Sequence, residues 1–162
     1  MNKILFIQTG GTIDKGYPKK IGGYAFEIEE PAFERILHKV NFSDFRTESV
    51  SQKDSQNITD EDRKNLVEIC KNAPEDKIII THGTDTIIET AKSLTDLKNK
   101  TIVLTGAFLP ERFQESDADF NIGFAMGVCS AFNGGIYIAI GGKVFPADRC
   151  FRDSETGSFY FS

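Results

Sequence analysis

Consecutive apolar or β-branched residues occupy positions 4–7, 78–80, 101–104 and 136–140. Runs of this kind suit strands that are buried on both faces, as in a parallel sheet. Residues 45–50 form a weaker fifth candidate. Between the runs the apolar period changes to that of a helix. Phe33, Ile36, Leu37 and Val40 recur behind Pro31, which suits a first helical turn. Thr59-Asp60-Glu61-Asp62 reads as a helix start, with a capping hydroxyl followed by acids on the positive end of the dipole. Leu66, Val67, Ile69, Cys70 and Ala73 follow as its apolar stripe. Ile87, Ile88, Ala91 and Leu94 form another stripe. Phe124, Ala125, Val128, Cys129 and Phe132 form a fourth, ended by Asn133-Gly134-Gly135.

Strand and helix alternate, so the expected fold is α/β: a three-layer, flavodoxin-like arrangement with a mainly parallel sheet flanked by helices. Residues 14–30 fit neither period and hold Gly16, Gly22 and Gly23 among lysines and tyrosines. They are expected to form a hairpin or a mobile flap. The 162 residues are one domain's worth of chain, with no repeat or linker.

Composition narrows the function. With 40% hydrophobic and 27% charged residues, the chain is neither disordered nor fibrous. A net charge of −5 argues against a nucleic-acid groove, which needs a basic face. Cys70, Cys129 and Cys150 are an odd, unclustered set, which reads as reduced thiols in a cytoplasmic protein. His38 and His82 lie far apart, so no metal site is expected. The apolar start is too short for a signal peptide, and no stretch has the length of a membrane helix.

In an open parallel sheet, ligands bind beyond the carboxyl ends of the strands. Here those ends carry Thr9-Gly10-Gly11-Thr12, Gln52-Lys53-Asp54-Ser55, Thr81-His82-Gly83-Thr84-Asp85-Thr86, Thr105-Gly106-Ala107 and Gly141-Gly142. Taken singly, Gly10-Gly11 reads as a tight turn, Thr84-Asp85 as a helix cap, Asp54-Ser55 as a turn and His82 as a hydrogen-bonded structural residue. Gathered at one rim, their hydroxyls and bare amides point to a small polar ligand. The glycines match neither GxGxxG nor a P-loop, so no nucleotide cofactor is expected.

Thr9-Gly10-Gly11-Thr12-Ile13 and Thr81-His82-Gly83-Thr84-Asp85-Thr86 resemble the two signatures of the bacterial L-asparaginase/glutaminase family. The likeness runs on through Asp54-Ser55-Gln56-Asn57 and Thr105-Gly106-Ala107, and covers that family's amino-terminal domain only. The resemblance implies hydrolysis of the side-chain amide of L-asparagine or a related small amide, with no cofactor. Thr12 matches the nucleophile that forms an acyl-enzyme, a role for which its hydroxyl needs a partner to take the proton. Either Tyr24 or Tyr17 of the flap would supply that partner, and Tyr24 is preferred from its place in the flap's second half. Thr84 matches a second catalytic threonine that positions or activates water. Asp85 matches the carboxylate that holds the substrate α-amino group. Asp54, Ser55 and Gln56 match the segment gripping the α-carboxylate. Gly11, Gly83 and Ala107 would line the substrate, and backbone amides near Gly11 and Thr84 would supply oxyanion donors.

Two departures are visible. Arg152 falls where the family has a relay lysine linking Thr84 and Asp85; Lys143 lies too early for that place. Arginine stays protonated, so it is able to hold Asp85 but not to act as a base. It also reads as a surface residue in an extended carboxyl-terminal segment. Full-length members carry a second domain that helps to close the site, and nothing here matches it. The site is therefore expected to be open unless the flap or a homodimer covers it. The alternative function is a non-catalytic aspartate or asparagine binding module with a degenerate relay.

Overall fold

The computed structural model describes residues 3–162. In chain order the elements are β1 (Ile4–Gly10), β2 (Lys15–Gly16), β3 (Glu27–Ile28), α1 (Ala32–Lys39), β4 (Phe45–Lys53), α2 (Asp60–Asn72), β5 (Lys77–Thr81) and α3 (Ile87–Ser93). They continue with β6 (Thr101–Thr105), α4 (Ala118–Ala131), β7 (Gly135–Ile140), β8 (Lys143–Pro146), β9 (Cys150–Arg152) and β10 (Phe159–Phe161). The main sheet has the order β4-β1-β5-β6-β7-β8. All neighbours pair in parallel except β8, which runs antiparallel to β7.

The apolar runs are continuous because both sheet faces are covered. Leu5, Ile7, Ile78, Ile80, Ile102 and Leu104 point to one face, where Leu66 and Cys70 of α2 and Ile87 and Ala91 of α3 pack. Ile4, Phe6, Ile79 and Val103 point to the other, against Phe33, Ile36 and Leu37 of α1 and Ile122, Ala125 and Cys129 of α4. Alternate side chains of one strand thus feed two separate cores, the α/β/α layering expected from the sequence. The edge strand β4 is only half-buried, which is why its pattern was the weakest.

Several boundaries differ from the sequence reading. Pro31 caps α1 from outside rather than opening its first turn, and Val40 ends the helix exposed instead of joining the stripe. The helix α4 begins at Ala118, nearly two turns before its stripe. Thr59 starts α2 by a reciprocal box: its hydroxyl accepts from Asp62 N–H at 3.1 Å, and the Asp62 carboxylate accepts from Thr59 N–H at 2.8 Å. Residues 14–30 do contain a hairpin, but its ladder is only Lys15–Gly16 against Glu27–Ile28. Three short strands went unread. In β8, Pro146 is tolerated because the strand lies on the edge. The β9–β10 hairpin is three residues deep, too short for any period to register.

Replacing the fully buried Ile79 by alanine removes a side chain from the central sheet. Urea unfolding should show a loss of about 2–5 kcal/mol. Thr59→Ala should cost about 1 kcal/mol by the same measurement, since it removes the α2 cap.

Candidate active site

The strands β1 and β5 are neighbours, yet the chain leaves them in opposite directions, to β4 on one side and β6 on the other. A crevice opens at such a switch point, beyond the carboxyl ends of the strands. The Thr12 and Thr84 turns both lie there. Their approach is set by glycine. A Cβ on Gly11 would lie 2.5 Å from Gly83 N and 2.6 Å from Gly83 Cα, and Gly11 also has φ +88°. A Cβ on Gly83 would lie 2.7 Å from Ser55 Cβ. The loops after β1 and β5 therefore meet backbone to backbone, and the Ser55 side chain from the loop after β4 packs directly on Gly83.

Hydrogen bonds lock this junction. Thr9 Oγ1 donates to Thr81 O at 2.7 Å, and Ser51 Oγ donates to Thr9 O at 2.7 Å. Thr86 Oγ1 donates to Ser55 O at 2.7 Å, while Ser55 Oγ accepts from Thr86 N–H at 3.3 Å. His82 is fully buried beneath the Gly83 turn. Its Nδ1 lies 2.7 Å from Gly83 O, a group that only accepts, so Nδ1 carries the proton. Its Nε2 then accepts from Thr90 Oγ1 at 2.8 Å, and Arg63 Nε donates to that same oxygen at 3.1 Å. Burial pushes the His82 pKa down to about 4, so the ring is neutral and acts as a strut rather than a base.

Around this junction sit the candidate chemical groups. Thr12 and Thr84 are half-buried, and neither hydroxyl is engaged in a hydrogen bond among the described residues. Asp85 is half-exposed: Oδ2 accepts from Gln56 Nε2 at 2.9 Å and Oδ1 accepts from Arg152 Nη1 at 2.9 Å. The Gln56 bond, then Arg152, hold its carboxyl below the usual range. Arg152 is no loose surface residue. The β9–β10 hairpin fixes it, with Nε donating to Gly157 O at 3.0 Å and the guanidinium 5.4 Å from the Phe159 ring centre. Ser55 is buried at the junction, and Asp54 pairs with Lys15 at 2.8 Å.

Other candidates stand apart. Tyr24 is fully exposed at the flap tip. Tyr17 is largely exposed and packs on Phe26, which packs in turn on Phe113, with ring centres 5.6 and 5.5 Å apart. The flap is therefore docked by Phe26, and among the described residues neither tyrosine hydroxyl is hydrogen-bonded to Thr12. Ala107 is buried, so only its backbone is able to face a ligand. Lys143 lies on β8, and the cation paired with Asp85 is Arg152 instead. The residue that sequence reasoning missed is Lys15. Its charge also acts on Asp85, but a lone lysine in an aperiodic segment gives no signal. A cavity of about 820 Å³ lies at the opposite, amino-terminal end of the sheet, around Ile4, Phe42, Asp76 and Thr101, far from these groups. Among the described residues there is no cluster of metal-ligating side chains and no helix long and apolar enough to cross a membrane.

Comparison with known proteins agrees with this geometry. The family model described as asparaginase, N-terminal, matches residues 3–159. The L-asparaginase of Thermococcus kodakarensis is 30% identical over 96% of this chain and 49% of its own length. The glutaminase-asparaginase of Pseudomonas aeruginosa is 28% identical over 89% of this chain and 43% of its own. The solved structure of the Thermococcus kodakarensis enzyme superposes with a TM-score of 0.83 at 29% identity, over 98% of this chain and 51% of that one. The probable cytoplasmic L-asparaginase from Campylobacter jejuni gives 0.80 at 28% identity, over 98% and 52%. The chain spans about half the length of the curated relatives it matches.

Two outcomes are expected. Gly11→Ala forces both a strained φ and a backbone clash, so thermal unfolding should show a loss of at least about 1–3 kcal/mol. The His82 ring should stay neutral, with its proton on Nδ1, in NMR spectra down to about pH 5. Because its folded pKa lies below the unfolded value, its contribution to stability is lost as pH falls from about 6.5 to about 4.

Proposed function

The chain belongs to the asparaginase family, and we propose that it is an amidohydrolase acting on the side-chain amide of L-asparagine or a related small amino-acid amide. The observation that carries this reading is the backbone contact between Gly11 and Gly83, which sets two unengaged threonine hydroxyls at the switch point. In the proposed reaction, Thr12 Oγ attacks the amide carbon and its proton passes to a base. The carbonyl oxygen takes up the negative charge against free backbone N–H groups of the Thr12 and Thr84 turns. Donors of this kind contribute about 2.7–4 kcal/mol each to barrier lowering. Ammonia leaves with a returned proton, and water held by Thr84 releases the acid and restores Thr12.

The charges of the rim suit a dipolar substrate. Asp85 is ionised and half-exposed, ready for an ammonium group. Lys15, beside Asp54, offers a cation for a carboxylate. A flap movement that carries Tyr17 or Tyr24 toward Thr12 would provide the base. A homodimer would cover the open side of the rim.

One observation favours a second reading. Arg152 is committed to Asp85 and is unable to release a proton near neutral pH, so the rim holds no relay base there. On that reading the chain binds aspartate or asparagine without turnover.

Ammonia release from L-asparagine, L-glutamine and short amides, measured beside calorimetric binding of L-aspartate, separates the two. Hydrolysis predicts release that falls at least about 10²-fold in Thr12→Ala and Thr84→Val. Binding without release in the wild type, with release gained in Arg152→Lys, would establish the second reading. Neither binding nor release would defeat both.

A further inference from the structure

The flap joins the rest of the chain through one buried side chain. Asp14 is fully buried and ends the turn that carries Thr12. Its N–H closes that turn on Gly11 O at 3.2 Å, and its own carbonyl accepts from Glu29 N–H at 2.9 Å. Its Oδ1 accepts from the N–H of Ala32, the first residue of α1, at 2.7 Å. Its Oδ2 accepts from Gln8 Nε2 at 3.1 Å. That Gln8 nitrogen also donates to Glu29 O at 2.7 Å, and Gln8 Oε1 accepts from Ser49 Oγ at 2.8 Å. One residue thus ties the Thr12 turn, both roots of the flap, α1 and β1 together.

Every group that touches this carboxylate is a neutral donor. The nearby cation on α1, Arg35, is engaged by Glu111, with Nε and Nη2 at 2.9 and 2.8 Å from Oε2. Above the flap root, the Glu29 carboxylate is held by Arg112 at 2.8 Å. From β4 the approaching groups are Ser49 and Gln52, both uncharged. A buried carboxylate without an ion-pair partner is costly when ionised. Burial outweighs the hydrogen bonds and raises its pKa to about 7; Arg35 pulls it down and Glu111 pushes it up.

We infer that Asp14 is a positioning residue of the site, whose deprotonation loosens the root of the flap and with it the turn that carries Thr12. The reason is linkage. Opening the root admits water to the carboxyl and returns its proton affinity toward the ordinary value. The closed form therefore binds the proton more tightly, and opening becomes easier as pH rises. The effect is absent below the ordinary carboxylate range and complete above about pH 7. A gap of about three pH units corresponds to a change of up to about 10³-fold in the opening equilibrium. The consequence for turnover rests on the proposed hydrolase reading; the opening itself does not.

Amide hydrogen exchange on the full chain, followed by NMR and expressed as protection factors, tests this directly. Protection of the Glu29 and Ala32 amides should fall between about pH 4 and 7, by up to about 10³-fold, and level off above that, while that of Ile79 in β5 stays constant. Asp14→Asn should abolish the transition. Arg35→Gln should move its midpoint up and Glu111→Gln should move it down. A flat wild-type profile, or an unchanged transition in Asp14→Asn, overturns the inference. If Asp14→Asn fails to fold, the two charge variants decide: opposite movements support the inference, and common or absent movement overturns it. Absence of ammonia release beside an intact exchange transition would remove the hydrolase reading alone.

Discussion

The contact between Gly11 and Gly83 is the constraint on which the rest of the site depends. A methyl group at Gly11 would overlap the backbone of the neighbouring turn. Without that approach the loops after β1 and β5 would stand apart, and two threonines 72 positions apart in sequence would not share a crevice. Parallel pairing of β1 with β5 puts the strand ends level, with Gln8 opposite Thr81. Glycine then lets the chain turn inward from both ends at once. The sheet supplies the register and the glycines supply the distance.

The polar scaffold beneath the turns explains why the junction is rigid. Arg63, Thr90, His82 and Gly83 form a single donor-to-acceptor chain that runs from the surface into the turn. Burial and the nearby Arg63 charge both disfavour a charged histidine there, which keeps the ring neutral. The flap is held differently. Its ladder is two residues long, its aromatic dock is Phe26 on Phe113, and its root hangs on Asp14. Rigid turns beside a lightly held flap suit a site that must admit a ligand and then exclude water.

Much of this was legible in the sequence, for identifiable reasons. The four apolar runs announced buried parallel strands because strands covered on both faces leave no polar alternation to confuse them. The two glycine-threonine turns announced the rim because a sheet of this topology has only one place to put them. What stayed hidden was either short or long-range. The three-residue strands β9 and β10 carry no period, yet they are what brings Arg152 onto Asp85. Lys15 reaches Asp54 across 39 positions, and no local pattern encodes that pair. Tyr24 was favoured from its place in the flap, whereas the hairpin geometry leaves it fully exposed and brings Phe26 inward instead.

The proposed reaction depends on Thr12 as its nucleophile. Mass spectrometry of the Thr84→Val chain, acid-quenched on L-asparagine and digested, tests it most directly, since slowed water attack should let the acyl-enzyme accumulate. An aspartyl adduct is expected on Thr12, absent when Thr12 is also replaced by alanine. No adduct, or an adduct that persists without Thr12, would contradict it.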